Sequence, residues 1–187
     1  MKQLELFGGT KLSSVHGGEY AIGKRKTKRY ISTNKAMHLT ARSSLAVGQF
    51  SFRRKENLKV IRSLIANLGV RYHIKIYAQG IESNHFHILG RAKRVKDFQN
   101  FQRVLLGQVA QKITKAVRGK PFGKFWDKLS FTRVIEWGKK SFLYAKNYVI
   151  QNELEASGII PYTPRKKRPP IKGYDWKYLP SFNPKNI

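Results

Sequence analysis

The chain contains no cysteine among its 187 residues. Disulfides and thiolate metal sites are therefore excluded, which fits an expected cytoplasmic, nucleoid-associated setting. Acidic residues are scarce, ten Asp and Glu in all. A two-metal nuclease draws several carboxylates onto paired ions. Here Glu56, Glu82, Asp97, Asp127 and Glu136 are scattered singly, which disfavours that chemistry. There is no run of eighteen apolar residues, no signal-peptide pattern and no internal repeat. The expectation is a soluble chain without a membrane partner.

What the sequence has in excess is positive charge: 38 Lys and Arg give a formal net charge of +28. Such a surplus repels itself unless a polyanion neutralises it, and nucleic acid is the expected partner. A ribosomal-type protein or an anionic-membrane binder shares the same balance, so charge does not establish an enzyme. The 41% hydrophobic content suffices for one core. The chain divides into a basic arm over 1–34, a domain over 35–160, and a basic, proline- and aromatic-rich tail over 161–187. The arm carries KRKTKR (24–29) and the tail PRKKRPP (164–170).

Periodicity orders the elements of the domain. Met37, Leu39 and Ala41 alternate with polar residues, as in a strand. Leu58, Ile61, Leu64, Ile65 and Leu68 recur at helical spacing, with Gly69 the expected stop. Period two returns over 70–79, with Val70, Tyr72, Ile74, Ile76 and Ala78 on one face. After a turn over 80–84 comes the strand HFHILGR (85–91), then a helix over 95–117, a loop over 119–124 and a strand over 129–137. A final helix over 141–158 has Ser141 as expected N-cap and Gly158 as C-terminal stop. The order β-α-β-β-α-β-α predicts an α+β fold, a ferredoxin-like antiparallel sheet with helices packed on it and a further C-terminal helix.

Within the stretch ESNHFHILG, His85, His87 and Leu89 share one strand face and Phe86 and Ile88 the other. If the apolar pair anchors the core, the two imidazoles face outward, side by side and within reach of one ion. Two plain surface histidines fit the same spacing. On the last helix Tyr144, Tyr148 and Asn152 form one row beside the stripe Phe142, Ala145, Val149 and Leu154. A phenol with an amide one turn later suits covalent phosphoryl transfer with a third metal ligand, and ordinary helix packing suits it as well.

Three segments taken in order, Asn84-His85-Phe86-His87-Ile88-Leu89, Phe125-Trp126-Asp127 and Tyr148-Val149-Ile150-Gln151-Asn152, resemble the single-tyrosine HUH (His-hydrophobe-His) transposases, and most nearly their REP-associated tyrosine transposase branch. The resemblance covers roughly residues 36–160. The chain departs from the pattern twice, with Glu153 where a proline is usual and Ser157 inserted before Gly158. The resemblance implies a single-stranded DNA endonuclease and strand transferase cutting near hairpins. His85, His87 and Asn152 would hold one Mg²⁺ or Mn²⁺ and Tyr148 would be the nucleophile, leaving a 5′-phosphotyrosine and a free 3′-OH. Arg91, Lys93, Arg94 and Lys96, with Lys24, Arg25 and Lys26 of the arm and Arg165, Lys166 and Lys167 of the tail, are the expected phosphate contacts. Two other readings stand beside it: a non-catalytic basic DNA- or RNA-binding protein, and a zinc module built on His73, His85 and His87. Whether the chain forms a homodimer and exchanges the tyrosine helix between subunits is open at this level.

Overall fold

The alternating segments form five strands in the computed structural model, which describes residues 15–23, 28–136 and 138–162. The strands are β1 (Val15–His16), β2 (Met37–Arg42), β3 (Ile74–Ile81), β4 (His85–Ala92) and β5 (Phe131–Val134). The helices are α1 (Lys55–Arg71), α2 (Val95–Thr114) and α3 (Lys139–Ala156). All pairings are antiparallel, in the order β1-β5-β2-β4-β3. Setting β1 aside, β2-α1-β3-β4-α2-β5 with β2 and β4 in the middle is the expected ferredoxin-like arrangement.

Both faces of the sheet are covered. On one, Met37, Leu39, Ala41, Phe86 and Ile88 pack against Ile61, Ile65 and Leu68 of α1 and Phe98, Phe101, Leu105 and Val109 of α2. Leu89 and Ile135 on the other face pack against Val149, Ala145 and Phe142 of α3. Removing these side chains from water, at roughly 25 cal/mol per Å², is what holds the helices to the sheet. The Phe125-Trp126-Asp127 segment pins the connection into β5. Its two rings pack on Phe52 and Trp126 also on Phe86, while the indole Nε1 donates to the Leu106 carbonyl at 3.1 Å. Asp127 accepts from the Ser44 backbone N–H at 2.7 Å and its hydroxyl at 2.8 Å.

Several boundaries differ from the sequence expectation. Helix α1 runs through Gly69 to Arg71, so Val70 lies exposed in its last turn and not on a strand. Gly69 serves close packing: a Cβ there would meet Ile76 Cδ1 at 2.9 Å. A register shift between Ile76 and Ala78 turns Ala78 to the α3 face, away from Ile74 and Ile76. An extra residue in one strand has this effect, because side-chain direction has period two. Helix α3 starts at Lys139 with Gly138, not Ser141, at its N-cap. Gly158, at φ 71°, ends it as expected. Part of the N-terminal arm is built into the sheet. Val15 and His16 pair with Arg133 and Thr132, and the Arg29 guanidinium donates to Thr132 Oγ1 at 2.6 Å and the Ser130 carbonyl at 3.0 Å.

Candidate active site

The turn between β3 and β4 and the first residues of β4 bring together three side chains of metal-ligating type. Glu82, His85 and His87 place one ligand atom each within 4.8 Å of one another. Glu82 Oε1 lies 3.0 Å from His85 Nε2 and 3.7 Å from His87 Nε2. With metal–ligand bonds of about 2.1 Å, neighbouring ligands stand roughly 3.0 Å apart at right angles and 3.4 Å apart on a tetrahedron. The three groups therefore fit around one ion.

The far ring nitrogens are held in the manner of metal-ligand histidines, which donate their second N–H to an oxygen. His85 Nδ1 lies 2.8 Å from Asn84 Oδ1, the geometry of an N–H donating to the amide oxygen. His87 Nδ1 lies 3.0 Å from both Thr40 Oγ1 and His38 Nε2. Both rings thereby keep Nε2 for the side of Glu82. The His38 ring stacks on His87 at 5.1 Å between centroids. Burial lowers the His38 imidazole to about 4, and the Arg133 charge adds to the effect, so His38 is neutral at physiological pH.

Helix α3 lies across this face. Its backbone comes so near β3 at Gly80 that a Cβ there would meet the Val149 carbonyl oxygen at 2.7 Å and Asn152 Cβ at 3.5 Å. Gly80 is the cross-strand partner of His87. Asn152, buried to 1% exposure, thus stands one strand over from His87. One turn earlier on α3, the Tyr148 ring meets His87 edge-on at 5.5 Å and His38 at 6.0 Å.

The predicted site residues fare differently. His85, His87 and Tyr148 come together, and Asn152 lies beside them. His87 does not face open solvent as expected: Tyr148 of α3 lies against it and it is 5% exposed, while His85 stays partly exposed. The zinc reading with His73 is excluded. His73 precedes Ile74, which pairs with Ala92 at the far end of β4, while Ile81 pairs with Phe86 at the His85 end. At about 3.3 Å per residue that separation is roughly 20 Å. Glu82 and His38 are the members that sequence reasoning missed.

Arg91 shares the His87 face of β4 and, with Asn34, Lys35, Tyr77, Glu136 and Phe142, lines a shallow cavity of about 320 Å³ beside the start of α3. Lys93, Arg94 and Lys96 are exposed beyond the end of β4, and Arg94 is engaged with Asp97 at 2.9 and 3.0 Å. Lys24, Arg25 and Lys26 and Arg165, Lys166 and Lys167 lie outside the described residues. Among the described residues no helix is long and apolar enough to cross a membrane.

Fold and site together define a ferredoxin-like α+β protein with a His-His-carboxylate group able to hold a metal ion under an added helix. The same fold occurs in a REP-associated tyrosine transposase bound to a REP hairpin. The match spans 71% of this chain and 74% of that one at 14% identity and a TM-score of 0.54. At that identity the likeness establishes the fold. A protein of Deinococcus radiodurans R1, itself only provisionally assigned as a transposase, matches over 70% of this chain and 98% of its own, at 14% identity. Its TM-score of 0.38 is too low to carry an argument. No protein-family model and no curated protein matches the chain.

Proposed function

We propose that this chain is a transposase-like endonuclease and strand transferase acting on single-stranded DNA beside a hairpin. The observation that carries the reading is the convergence of His85 Nε2, His87 Nε2 and a Glu82 oxygen at one point, with the Tyr148 ring against His87. A bound Mg²⁺ or Mn²⁺ supplies Lewis-acid polarisation of a phosphate oxygen, and imidazole ligands favour manganese of the two.

The chain's own residues do the rest. His85 and His87 are oriented ligands, locked by Asn84 and by Thr40 with His38. Glu82 offers a carboxylate, and Asn152 is a further candidate ligand from its position over Gly80. Tyr148 attacks the scissile phosphorus: its phenolic oxygen gains the P–O bond and loses its proton, while the bond to the 3′ oxygen breaks and that oxygen takes up a proton. The products are a 5′-phosphotyrosine and a free 3′-OH. The reverse attack by a 3′-OH rejoins strands without ATP. The net charge of +28 supports a nucleic-acid substrate, and the fold neighbour solved with a REP hairpin supports hairpin DNA.

The test is cleavage of end-labelled single-stranded DNA carrying a hairpin, with Mn²⁺ or after EDTA. A covalent protein–DNA band that needs metal, and that Glu82→Ala weakens, is expected. Tight binding with no metal-dependent cleavage on any hairpin substrate leaves the non-catalytic nucleic-acid-binding reading in its place.

A further inference from the structure

One polar cluster joins the turn that carries the metal group to the helix that carries the tyrosine. Glu153 of α3 accepts from the Ile81 backbone N–H at 2.7 Å through Oε2. Through Oε1 it accepts from Arg53 at 2.9 Å and Arg62 at 2.6 Å. Arg53 also donates to the Ile81 carbonyl at 3.2 Å and to Ser157 Oγ at 3.2 Å. The Ser157 hydroxyl in turn donates to the Glu153 carbonyl at 2.6 Å. Ile81 is the last residue of the edge strand β3 and directly precedes Glu82. Both of its backbone polar groups are therefore held by the cluster.

The arrangement does more than decorate a helix end. Glu153 and Arg53 are each largely shielded, with side chains 19% and 23% exposed. A carboxylate sharing two guanidiniums and a backbone N–H in such surroundings is geometrically specific, unlike a lone surface pair. Glu153 and Ser157 are also the two positions at which the chain departs from the transposase pattern, and both take part in this one cluster. Gly80, the neighbour of Ile81, is where the α3 backbone comes nearest the sheet. Helix and turn are thus fixed to each other within one chain, five residues on from Tyr148 and one residue from Glu82.

We propose that Glu153 is a positioning residue. It clamps α3 onto the Ile81–Glu82 corner and sets Tyr148 over the metal group. This rests on the proposed tyrosine chemistry, and the test separates the two. Hydrogen exchange on the full chain reads the clamp without any catalysis. Glu153→Leu is expected to lower protection of the Ile81 amide and the last turns of α3 at least tenfold, leaving α1 and α2 unchanged. Glu153→Gln, which keeps an acceptor for Ile81 but loses the ion pairs, should fall between.

In single-turnover adduct formation at saturating hairpin DNA, Glu153→Leu should be slower by up to roughly a hundredfold, the order expected for a small displacement of a reacting group. DNA affinity should not change, and Glu153→Gln should recover part of the rate. Unchanged protection in Glu153→Leu overturns the clamp. Lost protection with an unchanged rate overturns the positioning role. Should the wild type form no adduct at all, the proposed chemistry fails, and exchange alone decides the clamp.

Discussion

His87→Ala removes a ring that the sequence placed on an outer surface and the structure places under a helix. The ring is stacked on His38, meets Tyr148 and His85 edge-on, and has Nδ1 at 3.0 Å from Thr40 Oγ1. Truncating a buried side chain of this size costs about 2–4 kcal/mol, and a lost buried hydrogen bond accounts for about 1 kcal/mol of that. For a chain of this length each kcal/mol lowers Tm by roughly 2–4 °C, so a fall of about 5–15 °C is expected. His85, with a side chain 23% exposed and a hydrogen bond to its sequence neighbour Asn84, should cost about 1 kcal/mol on replacement by alanine. Thermal unfolding in EDTA, followed by circular dichroism, compares the two. Adding Mn²⁺ at a hundred times its Kd should then raise the wild-type stability by about 2.7 kcal/mol and neither variant comparably. A His87→Ala protein within about 0.5 kcal/mol of wild type, the range of a surface substitution, refutes the burial argument.

Tyr148→Phe deletes one oxygen and little packing; it should abolish the covalent adduct while sparing DNA affinity and Tm, and Tyr144→Phe should retain most of the activity in the same gel assay. Gly80→Ala should push α3 outward, since its Cβ would sit 2.7 Å from the Val149 carbonyl oxygen; a loss of about 1–3 kcal/mol by denaturant titration is expected, and an unchanged midpoint argues against so close an approach. Raising salt from about 50 to 200 mM should weaken DNA binding on the order of a thousandfold if about six to ten phosphates are contacted, and a flat titration by fluorescence anisotropy argues against phosphate-dominated binding.

The sequence displayed those features that depend on period alone. Alternation in β4 separated His85 and His87 from Phe86 and Ile88, and those two do lie in the core under α1 and α2. Helical spacing put Tyr148 and Asn152 in one row, and both face the sheet in α3. Alternation cannot say what covers the second face. Leu89 on the histidine side was the one hint, and it is fully buried against α3. Glu82 escaped because a turn has no period and a lone acid among scattered acids gives no pattern. Its role comes from β3 and β4 meeting at that corner. The shift at Ile76–Ala78 was hidden for a related reason, since one extra residue in a strand leaves composition unchanged while reversing the faces. β1 is two residues long and draws its partners from β5, more than a hundred positions away, beyond the reach of any local signal.

In the proposed chemistry Tyr148 becomes covalently joined to a DNA 5′-phosphate over the His85–His87–Glu82 group. The most direct measurement traps the adduct on hairpin-bearing single-stranded DNA with Mn²⁺, digests protein and DNA, and locates the nucleotide remnant by tandem mass spectrometry. A single modified residue, Tyr148, carrying the 5′-phosphate of the cut strand is expected. A remnant on Tyr144, on any other residue, or on no residue while the DNA is nonetheless cut, contradicts it.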